Sequence, residues 1–398
     1  SLKGLEDEAK RAADAQGQLG SRFDQFVAGQ GKELKSTLTS LATSYVGVGA
    51  AVYGIQKAFV SVGTTIAEFE AQLSKVSALG GEYADRIDEL GASAIALGPK
   101  FGRGPKEAAE SIEALAKAGV SAADIMSGAL EGALSLSAAG SLEAGQAAEY
   151  AASTMVQFGL RGQDMTHVAD LLAGAANKAQ GEVSDFGNAL KFVGPVANAM
   201  NVGLEETTGT LALFASNGIL GEQAGTSLRG VLASLTSPSK QATEQLKTLG
   251  IITADGANAL YDAQGNFKGL ANLAGELARA TSGLTQEQRD QALGQIFGNQ
   301  QLTAANILLK GGAEAVGEWT GAVDESGIAL RIASEQMDNI SGRADQVSAS
   351  WEALVVNIDK GDSAFSNFIK GTLGGLNTLL QELAGVNTAL LDMQAALD

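Results

Sequence analysis

A glycine followed at once by an aliphatic residue, and preceded four positions earlier by an apolar or small one, recurs five times along this chain. The instances are Leu115, Gly119 and Val120; Met155, Gly159 and Leu160; Ala199, Gly203 and Leu204; Phe214, Gly218 and Ile219; and Leu246, Gly250 and Ile251. Glycine just past a helix adopts the left-handed conformation without a side-chain penalty, and the residue after it folds back onto the last turn. Each instance therefore predicts a helix stop and a tight turn, with Gly119, Gly159, Gly203, Gly218 and Gly250 as the structural caps. Starts complement the stops: Ser121 with Asp124, and Thr285 with Gln288, have the spacing of an N-cap and its reciprocal partner. The chain is cut into many short helices.

Between these marks apolar positions recur at three and four, as in Ile112, Leu115 and Ala116 or Ala147, Tyr150 and Ala151, the stripe of an amphipathic helix. No run of alternating strands is visible. The expected fold is all-α: a compact helical body with glycine-capped turns, flanked by longer N- and C-terminal helices. One stretch departs from it. Ile251 to Thr253, then Leu260-Tyr261-Asp262 and Asn266-Phe267-Lys268 around a glycine-containing loop, predict a small β-hairpin. A weak repeat aligns Pro105–Val120 with Leu204–Ile219, either a duplicated hairpin or the resemblance of any two Ala-rich helices that end in glycine.

Composition sharpens the packing argument. Aromatics make up only 5% and glycines number 51, so a core built from these residues must bring backbones together through Ala and Gly. With no cysteine, thiol chemistry and disulfides are excluded, and His167 as the single imidazole excludes a multi-histidine metal centre within one chain. Lys plus Arg is 27 against 45 Asp plus Glu, a net charge of −18, which argues against specific nucleic-acid binding. No cofactor is implied.

Three regions are expected. Residues 1–68 form a polar N-terminal helix, with Leu19, Phe23 and Phe26 on one face, leading into a weakly polar segment; 69–343 form the turn-rich body; 344–398 carry Val347, Trp351, Leu354 and Ile358 and later Leu373, Leu376 and Leu380 at helical spacing, suited to self-association. Ser1 falls within helical spacing with Leu2, Leu5 and Ala9, so the sequence is expected to be a segment of something longer, and the lack of a secretory pattern at its start carries little weight. The run Ser36 to Gln56 holds 21 residues without a charge, about the length that crosses a bilayer. It contains Tyr45 and Tyr53. Gly47 with Ala51, and Ala50 with Gly54, are small residues four apart, which lets membrane helices approach closely. The alternative is a tightly packed soluble helix, since Thr37, Thr39, Ser40, Thr43 and Ser44 make its first half only mildly apolar.

From about Phe69 to Leu380 the sequence resembles the core region of phage tail tape measure proteins, the family also called minor tail proteins. The resemblance rests on Phe69-Glu70-Ala71-Gln72-Leu73 with Val76, and above all on Gly218-Ile219-Leu220-Gly221-Glu222-Gln223-Ala224-Gly225-Thr226-Ser227-Leu228-Arg229 followed by Leu232, Leu235 and Pro238. Leu246 to Ile251, Asp262 to Leu270, Met337-Asp338-Asn339 and Ser350-Trp351-Glu352-Ala353-Leu354 continue it, while Pro99-Lys100-Phe101-Gly102-Arg103-Gly104 departs from the family pattern. The resemblance implies a non-enzymatic virion protein of the tail lumen or tip, made in the host cytoplasm. It would set tail length, scaffold tube assembly, and be expelled at genome ejection, assisting DNA through the host envelope. Implied partners are copies of itself (a trimer or hexamer), the tail tube protein, tip or baseplate proteins and the host membrane. A continuous helix rises ~1.5 Å per residue, so ~400 residues would span about 600 Å only if unbroken. The glycine stops make this segment a plug or hub, and the measuring helix is expected outside it.

The competing class is a peptidoglycan-processing or pore-forming effector carried in the tail. Glu110-Ser111 is the nearest candidate pair for a glycosidase, but it lies on a regular amphipathic helix without a companion aromatic motif. His167, after Arg161-Gly162-Gln163, reads better as a helix-start residue than as a catalytic base. Gly47-Val48-Gly49 lacks the strand and helix of a nucleotide site. Arg229 is expected to pair with Glu222 or Glu206 and hold geometry, and Trp319 and Trp351 to anchor packing.

Overall fold

The computed structural model describes residues 62–338 and 340–360. Three expectations lie outside the described residues. They are the N-terminal helix up to residue 61, the far C-terminal stripe of Leu373, Leu376 and Leu380, and the uncharged run. With that run go all of its candidate membrane-inserting residues, namely Ser36, Tyr45, Gly47, Ala50, Ala51, Tyr53, Gly54 and Gln56.

Helices account for most of the described chain. In order they are α1 (Val62–Ser77), α2 (Ile87–Leu97), α3 (Pro105–Lys117), α4 (Leu130–Ala139) and α5 (Ala144–Gln157). Then come α6 (Met165–Lys178), α7 (Val183–Ala199), α8 (Leu204–Ser216), α9 (Gly221–Thr236) and α10 (Lys240–Thr248). After an irregular stretch follow α11 (Leu270–Thr281), α12 (Gln286–Phe297), α13 (Leu302–Val323), α14 (Ile328–Met337) and α15 (Ile340–Lys360). α13 is not continuous, because Gly312 at φ 62° and ψ −168° breaks it.

The ends of these helices follow from local chemistry. At Gly119 (φ 85°) the N–H reaches back to the Ala116 carbonyl and that of Val120 to Leu115; the same two bonds form at Gly159, Gly218 and Gly250. This is the Schellman arrangement, which satisfies carbonyls that a helix end otherwise leaves open. Gly203 requires a correction. It sits at φ −66° as the N-cap of α8, and Asn201, at φ 59°, takes the left-handed position that closes α7. The Asn201 N–H bonds to the Asn198 carbonyl and that of Val202 to Ala197. Ser141, at φ 51°, closes α4 in the same way with Leu142. Neither of these caps carries the glycine signature of the other four turns. Among starts, the Ser121 hydroxyl accepts from the Asp124 N–H at 3.0 Å, and Thr285 and Gln288 form a reciprocal capping box.

The expected β-hairpin does not form. Only two isolated antiparallel bridges, Ile252 with Asn258 and Tyr261 with Phe267, occur there, and the described residues contain no strand. The tip is a tight side-chain turn, in which the Asp262 carboxylate accepts the N–H groups of Gln264 (2.9 Å) and Asn266 (2.8 Å); across it the Asp262 and Lys268 N–H groups reach the Asn266 and Leu260 carbonyls, too few bonds to make a ladder. Thr253 and Asp255 close the preceding turn through a hydroxyl–carboxylate hydrogen bond.

The described residues fall into two compact units, one of 62–75, 91–109 and 337–360, the other of 76–90 and 110–336. In the larger unit α9 lies along α7, α13 along α8 and α11, and α4 against α5 and α6. The approach is close enough for main chain to meet main chain. A Cβ added at Gly225 of α9 would run into the Ala189 carbonyl of α7, one at Gly209 of α8 would stand 2.6 Å from the Thr320 Cα of α13, and one at Gly174 of α6 would strike the Val323 carbonyl. Glycine is required there for closeness. Around these seams Leu190, Val193, Leu228, Val231 and Leu232 are fully buried, each contributing ~1.5–3 kcal/mol through removal of apolar surface from water. In the smaller unit α15 rests on a 3-10 turn, Gly98–Phe101, and buries Ala349, Ala353 and Val356 on one face.

Candidate functional site

The stretch Gly218 to Arg229 lies at a closely packed seam of the larger unit. Gly218 ends α8 and, after Ile219-Leu220, α9 begins at Gly221. From there Ala224, Gly225, Leu228, Val231, Leu232 and Leu235 form the buried stripe along α9, with Gly225 against the α7 backbone. Off that stripe Glu222, Gln223, Arg229 and Ala233 are exposed, while Gly230 lies against Gln301. The stretch is thus a packing surface: small residues where α7 is nearest, branched ones where space opens.

Arg229 falls on the outward face, exposed, and makes no ion pair among the described residues with Glu222 or Glu206. Its expected partner is used elsewhere. Glu206 of α8 accepts the N–H of Ala271 at 2.9 Å, so a carboxylate stands at the positive N-terminus of α11. Trp351 on α15 and Trp319 on α13 are each only half-buried.

A charged cluster on α6, α8 and the α13–α14 connection was not legible beforehand. Asp170, buried to 3% exposure, accepts from the backbone N–H of Gly327 (2.7 Å) and of Ala329 (3.0 Å), tying α6 to the start of α14. A remote carboxylate thereby does the work of an N-cap. One turn earlier on α6, His167 Nε2 lies 2.8 Å from Glu205 Oε1 while Nδ1 lies 3.8 Å from Asp324. At the far end of α6, Lys178 meets Glu325 at 3.2 Å, and Arg331 meets both Glu325 (3.0 Å) and Glu335 (3.3 Å). Hydrogen bonds from Lys178 and then Arg331 hold the Glu325 carboxyl below the usual range.

This geometry fastens elements together. His167 has an acidic group at each ring nitrogen, on opposite sides, which orients the ring without aiming it at a nucleophile. Among the described residues no group of three or more His, Asp or Glu is placed to hold a metal ion. Ser111, beside Glu110, is fully buried and its hydroxyl has no hydrogen-bond partner, which places it in the core and away from any substrate.

With the packing in view, the comparisons with known proteins are decisive. Residues 91–298 match the phage-related minor tail protein family. The chain belongs to that family. It is similar to the tape measure protein of Pneumococcus phage Dp-1, 34% identical over 330 residues that cover 82% of this chain and 28% of that protein. It is also similar to the probable tape measure protein of Escherichia phage P2, 25% identical over 352 residues, 87% of this chain and 42% of that protein. The chain therefore spans less than half the length of these relatives. No solved structure matches it.

Proposed function

We propose that this chain is a compact module of a phage tail tape measure protein, acting as a passive structural body during tail assembly. The observation that supports the reading is the overlap of the family match at 91–298 with helices α2 to α12, the part of the chain where Schellman turns and main-chain seams are concentrated. Such a body contributes little axial length. Among the described residues the longest helix, α13, has 22 residues and is broken at Gly312, so even unbroken it would reach only ~33 Å. Length measurement belongs to other parts of the relatives' longer chains, and this module serves as a hub that associates with other tail components: copies of itself as a trimer or hexamer, the tail tube protein, and the tip or baseplate. Its acidic character limits adhesion to DNA passing along the same lumen.

The test is an in-frame deletion of α7 to α9 from the full-length tape measure protein, with tails measured by electron microscopy. If these roughly 50 residues served as ruler helix, tails would shorten by about 80 Å. The proposal expects tails that are absent or of unchanged length, and proportional shortening overturns it.

The finer division remains part of the same proposal: a body over 69–343, a 344–398 region that self-associates, and a 1–68 region whose Ser36–Gln56 run enters the host membrane when the protein is expelled, assisting genome passage. Within that run Ala51 facing Gly47, and Gly54 facing Ala50, would supply the small-residue spacing for helix approach. Among the described residues no helix is long and apolar enough to cross a membrane, so that role rests on the uncharged run alone. A peptide covering it should bind liposomes; failure to partition even into anionic vesicles ends the membrane reading.

A further inference from the structure

In the smaller unit α15 brings a carboxyl to a place with no partner for it. Glu352 is half-buried and makes no hydrogen bond among the described residues. Its carboxylate presses on the backbone of Gly104, where any Cβ would collide with it, at the residue that begins α3. The same residue already holds another carboxylate, since the Gly104 N–H donates to Glu107 Oε2 at 3.0 Å. The nearby cation is engaged as well: Lys106 is 3.1 Å from Glu68 of α1. Of the charged residues on the elements around it, Glu107 of α3 and Glu68 of α1 repel the Glu352 carboxylate and Lys106 of α3 attracts it.

Elsewhere the α15 contact is mostly apolar or amide, with Asp345 as its other carboxylate. Gln346 donates to the Lys100 carbonyl at 3.2 Å, Gly102 lies under Met337 and Asp345, and Ala349, Ala353 and Val356 are buried. Two carboxyls crowded on one backbone residue cannot both ionise without cost. We propose that Glu352 is a proton-operated latch: protonated, it lets α15 seat on the Gly98–Gly104 turn and α3; ionised, it is repelled by Glu107 and Glu68 and loosens that seat.

The direction of the effect follows from linkage. Burial, then the charges of Glu107 and Glu68, push the Glu352 carboxyl up to about 7, against the opposing pull of Lys106. A group whose value is raised in the docked state contributes its full stabilisation below its ordinary value near 4.5 and loses it as pH rises to about 7. Seating is firmest in acid, weakens between those limits, and is flat above them.

The experiment is hydrogen exchange on the 398-residue chain from pH 4 to 8, with opening of α15 referred to intrinsic exchange rates and the amides of α7 and α9 as internal reference. In the unsubstituted protein the opening constant of α15 is expected to rise about a hundredfold or more across the window. In Glu352→Gln the rise should fall below about tenfold, and Glu107→Gln should draw the upper limit to lower pH. Equal profiles for the unsubstituted chain and Glu352→Gln overturn the latch, as does protection in the unsubstituted chain that stays constant from pH 4.5 to 7. Should Glu352→Gln lose protection in α7 and α9 as well, Glu107→Gln decides: an unshifted upper limit overturns the proposal, and a lowered one supports it.

Discussion

The seam between α7 and α9 and the seat of α15 solve the same problem, bringing two helical elements together, with opposite chemistry. At the first, Gly225 meets the Ala189 carbonyl with Leu190, Val193, Leu228 and Val231 buried around the seam, and the Asp185 carboxylate lies a turn away, beside Gly221. At the second, Gly104 meets the Glu352 carboxyl, with Glu107 and Glu68 close behind. A glycine allows close approach in both, but what it approaches decides whether the contact is permanent or conditional on solution conditions. Close packing by itself therefore says little about how rigid a contact is.

The sharpest way to break the comparison is to fill the first seam. Gly225→Leu forces a side chain into main chain and is expected to cost about 3 kcal/mol or more, read as a large drop in the thermal midpoint of the larger unit by circular dichroism. A change below 0.5 kcal/mol would show that α7 and α9 can part without loss. Next is Asp170→Ala, which leaves the Gly327 and Ala329 N–H groups without their buried acceptor; a loss of about 2–3 kcal/mol is expected in urea denaturation. Smaller and opposite in sign is Asn201→Gly. It relieves a left-handed residue at the end of α7, and the greater freedom of the unfolded chain offsets part of the gain, so a net stabilisation of about 0.5 kcal/mol is expected in the same titration. The smallest effect belongs to the exposed edge, where Glu205→Gln weakens the pair with His167 by less than about 0.5 kcal/mol.

How far the sequence speaks for the structure depends on the range of the interaction. Gly119, Gly159, Gly218 and Gly250 announce their turns because the left-handed preference is a property of the residue itself. Gly203 misleads for the same reason: the residue is permissive, and Asn201 had already taken the position. Tyr261 and Phe267 have the composition of strands, yet they meet in a single isolated bridge across the turn that the Asp262 side chain closes. The many glycines with few aromatics foretold backbone contact between helices, but not that Gly225 would find Ala189 or Gly209 would find Thr320. Those partners are chosen by the tertiary arrangement. Asp170 with Gly327, and Glu352 with Glu107, lie far apart along the chain, and neither pair has a local signature.

The Schellman turns carry a mechanical consequence. Each ends one short helix and redirects the chain, while the closest partners, α7 with α9 and α8 with α13, are not consecutive. α13 adds a weak link of its own at Gly312. A pull applied along the polypeptide would therefore load interleaved seams together, and traction would meet the larger unit as a whole and not as a string of separate hairpins.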